Sequence, residues 1–141
     1  MTVTWCHGHE AARQELNVGE DEIKVLTQDK MPPEISNSSF GIAICKKTVG
    51  NSLKGVMPTK VAEFLATGRP VVFSSGIGDL AEILLPSLVG VEVSDDKADA
   101  VNKVIQLLND PETPKRCRAV TEQYFDINAA VSKYNQIFVT M

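Results

Sequence analysis

Residues 40–73 read FGIAICKKTVGNSLKGVMPTKVAEFLATGRPVVF, and the changes of character along this stretch decide the fold class. Phe40 to Cys45 is an uninterrupted apolar run, the pattern of a strand buried on both faces of a parallel sheet. A polar, glycine-containing loop from Lys46 to Met57 follows. Pro58 then stands where a first helical residue belongs, because its missing N–H is one that the helix start leaves unused anyway. Val61, Ala62, Phe64 and Leu65 supply the buried side of that helix. Gly68 is a natural stop, Pro70 blocks continuation, and Val71 to Phe73 begins another apolar strand. Strand, helix and strand in that order is the unit of an α/β fold.

The alternation extends outward in both directions. Upstream, Val3 to Cys6 and Ile23 to Thr27 read as strands, with a helix over Glu10 to Leu16 between them. Pro32-Pro33-Glu34 opens a short helix before the Ser/Asn-rich turn at Ser36 to Ser39. Downstream, Asp79 to Leu85 is a short helix broken by Pro86, and Val89 to Val93 is a strand. Ser94 is a suitable N-cap for a helix in which Ala98, Val101, Ile105 and Leu108 recur at helical spacing. Thr113-Pro114 caps and opens another helix, and Asp126 caps a last one running through Tyr134 and Phe138. Five strands alternating with helices predict a doubly wound, mainly parallel five-stranded sheet with helices on both faces. No linker composition, repeat or low-complexity tract divides residues 1–141, so a single domain is expected.

Composition narrows the function. With 43% hydrophobic and 23% charged residues in 141, the chain has enough apolar material for one core and is no disordered tail. No apolar run approaches the ~20 residues of a membrane span, so no transmembrane segment is expected. Cys6, Cys45 and Cys117 are an odd, widely spaced set, which fits free thiols in a reducing cytoplasm. The net charge of −4 disfavours a nucleic-acid surface. That charge is uneven: residues 35–62 hold no acid but carry Lys46, Lys47, Lys54 and Lys60, leaving ten basic and eighteen acidic residues elsewhere. A basic island in an acidic chain points to a small anionic ligand.

Several motifs compete to bind it. Gly76-Ile-Gly78-Asp-Leu-Ala81 follows a strand and opens a helix, and Asp95 lies nineteen residues beyond Gly76, as in a dinucleotide fingerprint. Against that reading, Asp79 puts a negative charge where pyrophosphate would sit, and only one strand follows. A tight turn that needs small residues, with Asp79 capping the helix, is the plainer account. Gly50-Asn-Ser-Leu-Lys-Gly55 has the glycines of a P-loop, but Val56-Met57 replaces its Lys-Ser/Thr. Cys45-Lys46-Lys47 ends the central strand without the carboxylate of a phosphorylated receiver domain. Cys6, His7 and His9 lack a second cluster to complete a metal site, and His7 and His9, the two histidines, are too terminal for a nucleophilic triad to be argued. Catalytic residues therefore stay unassigned.

What remains is the start of the helix at Pro58-Thr59-Lys60-Val61-Ala62-Glu63. First-turn amides and the helix dipole favour an anion there, with Thr59 adding a hydroxyl and Lys60 a positive charge. Glu63, one turn in, can accept hydrogen bonds from sugar hydroxyls beside that anion. On spacing alone, a plain solvated helix start fits equally well.

The segment Met57-Pro-Thr-Lys-Val-Ala-Glu63-Phe-Leu-Ala-Thr-Gly68-Arg-Pro-Val-Val72 resembles the P-x-K-x-x-E-[YF]-x-A-x-G-x-P-V-[IV] signature of group 1 retaining glycosyltransferases. Ile77-Gly78-Asp-Leu-Ala-Glu82-Ile-Leu, Gly90-Val91 and Phe125-Asp-Ile-Asn-Ala-Ala-Val-Ser-Lys133-Tyr134 continue the likeness in register. The resemblance implies the C-terminal, donor-binding, Rossmann-like half of a GT-B fold, binding a nucleoside-diphosphate sugar for hexosyl transfer. It implies that Thr59 and Lys60, with Pro58 and Lys47 around them, lie at the diphosphate and that Glu63 holds the ribose hydroxyls. No metal or other cofactor is expected. Where many relatives carry a further Glu at the donor sugar, this sequence has Gly55. The likeness begins after the family domain's first strand and phosphate loop, which implies a fragment, inactive alone, whose partner is an N-terminal acceptor domain. The expected setting is the cytoplasm, or the inner face of the membrane for the full-length enzyme. A nucleotide-sugar epimerase domain and a stand-alone dinucleotide-binding module are the alternatives.

Overall fold

A computed structural model describes residues 3–4, 23–24, 26–45, 53–93 and 97–139. The elements in chain order are strands β1 (Val3–Thr4) and β2 (Ile23–Lys24), helix α1 (Met31–Asn37), β3 (Gly41–Ala43), α2 (Thr59–Ala66), β4 (Val71–Ser74), α3 (Leu80–Leu84), β5 (Gly90–Val93), α4 (Lys97–Asn109), α5 (Thr113–Tyr124) and α6 (Ile127–Val139). The helix expected at Glu10 to Leu16, the Cys6-His7-His9 group, Lys46, Lys47, residues 50–52 of the Gly50–Gly55 motif and the Ser94 cap lie outside the described residues.

Each expected strand has a counterpart, but the single five-stranded sheet does not appear among the described residues. β3, β4 and β5 form one parallel sheet in sequence order, while β1 and β2 pair with each other, also in parallel. β1 and β2 are two residues long, and no ladder from either reaches β3 among the described residues. An apolar run reveals that a strand is buried, not which neighbour it pairs with.

The core lies on one face of the three-stranded sheet. Side chains alternate along a strand, so Val71 and Phe73 of β4 point the same way, into a cluster with Val61 and Leu65 of α2 and Leu80 and Leu84 of α3. Cys117 and Val120 of α5 close that cluster. Burying an aliphatic or Phe side chain of this size contributes about 1.5–3 kcal/mol, so this one-sided core is the main stabilising element. On the opposite face of β3, Ile42 and Ile44 are 54% and 60% exposed. The expected cover on both faces is thus present on one face of β3 only, among the described residues.

Helix ends follow the sequence in part. Gly68, at φ 79°, ends α2: its N–H donates to the Leu65 carbonyl at 2.9 Å and the Arg69 N–H to the Phe64 carbonyl at 2.9 Å. That is a Schellman closure, which needs the left-handed backbone that glycine adopts without penalty. The Asp126 carboxylate accepts the Asn128 N–H at 2.6 Å and caps α6 as expected. Three caps differ. Pro58 precedes the first helical residue instead of occupying it. Asp79 holds the N-cap position of α3 at φ −98°, ψ 17°, without a side-chain cap bond. Thr113 lies inside α5, buried, with its hydroxyl accepting from Arg116 at 2.8 Å. The last two misreadings share a cause: Asp79 and Glu112, which hold the cap positions, lack the extended backbone from which a cap side chain reaches the second or third helical amide.

Candidate functional site

In a parallel sheet the loops that leave the carboxyl ends of the strands lie together at one edge, and that edge of β3 and β4 is stitched shut. The Cys45 N–H, just past β3, donates to the Ser74 hydroxyl at the end of β4, at 3.0 Å. One layer further out, the turn between β4 and α3 meets the loop that leads into α2. The Gly78 N–H donates to the Leu53 carbonyl at 2.9 Å, beside a 3₁₀ turn at residues 53–55. The Val56 N–H returns to that same carbonyl at 3.1 Å. A Cβ on Gly78 would stand 2.6 Å from the Val56 carbonyl oxygen, and its φ is 42°. The two glycines that resemble a dinucleotide fingerprint therefore belong to a turn packed on the neighbouring loop. The amide a pyrophosphate would use at Gly78 is already spent, which counts against the dinucleotide reading.

That buttressed loop delivers Pro58 to the start of α2. The Val61 N–H turns back onto the Pro58 carbonyl at 3.0 Å, and the Thr59 and Lys60 amides have no acceptor within the helix. Thr59 is exposed. The Lys60 ammonium donates to the Glu63 carboxylate, Nζ to Oε2 at 2.8 Å, with the two side chains 39% and 41% exposed. Residues three apart on a helix share a face, so the half-exposed pair lies on one side of the first turns of α2. The structure thus brings together Pro58, Thr59, Lys60 and Glu63; Lys47 lies outside the described residues. Sequence reasoning missed Ser74, whose hydroxyl ties the ends of β3 and β4. The available signal was a small hydroxyl residue ending an apolar strand before a glycine turn.

Other features lie apart from this corner. A groove of about 660 Å³ is lined by Ser75, Leu85, Leu88, Val91, Lys103 and Leu107, among others, and by none of the residues at the start of α2. Its lysine is paired with Asp99 at 2.6 Å. Among the described residues no group of three or more His, Cys, Asp or Glu is arranged to hold a metal ion. Among them too, no helix is long and apolar enough to cross a membrane.

No protein-family model matches the chain, and no curated protein matches it. A solved structure does: sucrose-phosphate synthase from Thermosynechococcus elongatus, at 22% identity and a TM-score of 0.58. The match covers 94% of this chain and 34% of that one, so the chain spans about a third of the length of its structural relative. The chain has a glycosyltransferase-like fold. The likeness is one of fold, and it extends over nearly the whole chain. It leaves the roles of individual residues to chemistry.

Proposed function

We propose that this chain is the donor-binding, C-terminal domain of a group 1 retaining glycosyltransferase, taking a nucleoside-diphosphate sugar at the start of α2. The observation that carries the reading is the Lys60–Glu63 pair, a cation and a carboxylate 2.8 Å apart and half-exposed beside open helix amides. In this reading Thr59 and Lys60, with Lys47 on the preceding loop and Pro58 shaping the corner, contact the diphosphate, while Glu63 accepts from the ribose hydroxyls. Transfer breaks the bond between the sugar's anomeric carbon and the diphosphate oxygen, whose electron pair leaves with the nucleoside diphosphate, while the anomeric carbon bonds to an acceptor hydroxyl oxygen that gives up its proton to the departing diphosphate or to solvent. The α2 amides and the lysine offset that growing negative charge, the kind of fixed electrostatic stabilisation that lowers barriers most. The acceptor is held mainly by a second domain of the same enzyme, so this chain alone binds donor and transfers nothing.

The test is calorimetric titration of the chain with UDP, GDP, their 2′-deoxy forms and uridine. Lys60→Ala should weaken the diphosphates and spare the nucleoside. Glu63→Gln removes charge from a hydrogen bond, an effect of about 1–3 kcal/mol, and should weaken ribo- more than 2′-deoxyribonucleotides. Equal weakening of uridine and UDP by Lys60→Ala, or an unchanged ribo/deoxy ratio in Glu63→Gln, would refute the assigned roles.

A further inference from the structure

β5 is the last strand of the β3–β4–β5 sheet, and among the described residues nothing pairs with its outer edge. The Val71 N–H donates to the Val89 carbonyl at 3.0 Å, so the backbone groups of Val89, Val91 and Val93 face β4. By alternation, those of Gly90 and Glu92 face outward. All four residues of β5 line the groove of about 660 Å³, and Leu85, Leu88 and Leu107 add apolar surface to it. Leu88 holds φ at 53°, uncommon for a bulky residue, and stays 57% exposed instead of joining the core. The open hydrogen-bonding edge thus lies in an apolar groove rather than on a bare rim. Charge narrows the occupant. Of the charged residues in the lining, Lys103 is paired with Asp99 at 2.6 Å, and the Glu92 carboxylate has no partner among the described residues. A second copy adding its own β5 about this residue would set two carboxylates opposite each other, which destabilises a strand pair. A strand with Lys or Arg at that position gains where the copy loses.

We propose that the outer edge of β5 binds an extended segment of another protein as an added strand, with a basic residue opposite Glu92 and apolar residues two positions to either side. Main-chain bonds to Gly90 and Glu92 hold the segment, and the leucines of the groove receive its apolar side chains. The inference is independent of the donor-binding reading, since no residue at the start of α2 lines the groove.

The test titrates the isotope-labelled chain with a blocked peptide, Leu-Thr-Lys-Thr-Val, and follows the Gly90 and Glu92 amides by NMR. Both should shift saturably at millimolar peptide or below. N-methylating one alternate set of peptide amides should weaken binding about ten-fold or more through lost hydrogen bonds, and methylating the other set should not. A peptide with Glu in place of Lys should bind wild type about two- to five-fold more weakly, and Glu92→Lys should reverse that order. Glu92→Pro keeps the bonds to β4, because the N–H it removes faces outward. It should melt near Glu92→Gln yet bind the peptide about five-fold more weakly than Glu92→Gln does. Should Glu92→Pro unfold the chain, the methylated peptides decide. Equal effects of the two methylated sets, binding that ignores the sign of the charge, or no saturable shift at millimolar peptide overturns the proposal. Concentration-dependent dimerisation abolished by Glu92→Pro would place a second copy on this edge and overturn it likewise.

Discussion

Gly76 and Gly78 sit in one turn, both with positive φ, and what surrounds them differs enough to separate two kinds of cost. At Gly76, φ 77°, an added Cβ meets nothing within 4 Å. Gly76→Ala therefore incurs only the left-handed backbone penalty, about 1–2 kcal/mol for an L-residue. At Gly78, φ 42°, the Cβ would be 2.6 Å from the Val56 carbonyl oxygen and 3.8 Å from that of Lys54. Backbone cannot swing aside as a flexible side chain can, so Gly78→Ala adds an overpacking cost of about 1–3 kcal/mol to the same conformational penalty. Relief would come from pushing the 53–56 loop outward, which breaks the 2.9 Å bond from Gly78 N–H to Leu53 and shifts the entry into α2. Urea unfolding at a common denaturant slope reads both effects. Gly78→Ala should be less stable than Gly76→Ala by about 1–3 kcal/mol, and it alone should also weaken UDP binding. Equal losses in the two variants would refute the contact argument. A saturable NADH titration with wild type, abolished by Gly78→Val, would show that the turn cradles a dinucleotide after all.

Other consequences can be read the same way. Leu65 is fully buried in the cluster between α2, β4 and α5, so Leu65→Ala should cost about 2–5 kcal/mol by chemical denaturation. Tyr134 and Phe138 of α6 are 64% and 70% exposed, and Tyr134→Ser or Phe138→Ser should stay within about 0.5 kcal/mol of wild type in the same assay. Burial pushes the Cys117 thiol up from its ordinary 9.0 to about 11, against a weaker opposing pull from Arg116 and Arg118. The folded chain thus holds this proton more tightly than the unfolded chain, so the contribution is complete below pH 9.0 and is lost as pH rises through about 11. Melting temperatures of wild type should fall across that window more steeply than those of Cys117→Ala, and parallel curves would refute it.

The strands were legible because each is a compact apolar run, and the α2 boundaries because Pro58 and Gly68 bracket a helical repeat. What covers each element was not. Val101, Ile105 and Leu108 recur at helical spacing as a core face would, yet they are 56%, 49% and 42% exposed, and Ala100 is the buried residue of α4. Periodicity records that a face is apolar; it carries no information about whether a partner element lies against it. The same holds for α6, where Ile127, Val131, Tyr134 and Phe138 form an apolar stripe of exposed side chains. Sheet pairing fails for a related reason, since the β1–β2 and β3–β4–β5 groupings depend on edges that no single strand's sequence encodes.

At the candidate site the residue types were legible and their mutual contact was not. Sequence spacing puts Lys60 and Glu63 on one face but leaves open whether each reaches outward or toward the other, and the 2.8 Å bond decides for the latter. The glycine motif looked like a ligand cradle, and the decisive fact was the destination of one amide: Gly78 N–H donates to Leu53. An N–H that holds the loop into α2 cannot also hold a phosphate, while the α2 amides that this loop presents have no acceptor within their helix. The turn therefore buttresses the loop that leads into α2, and the glycine turn and the lysine-bearing helix start are parts of one structure.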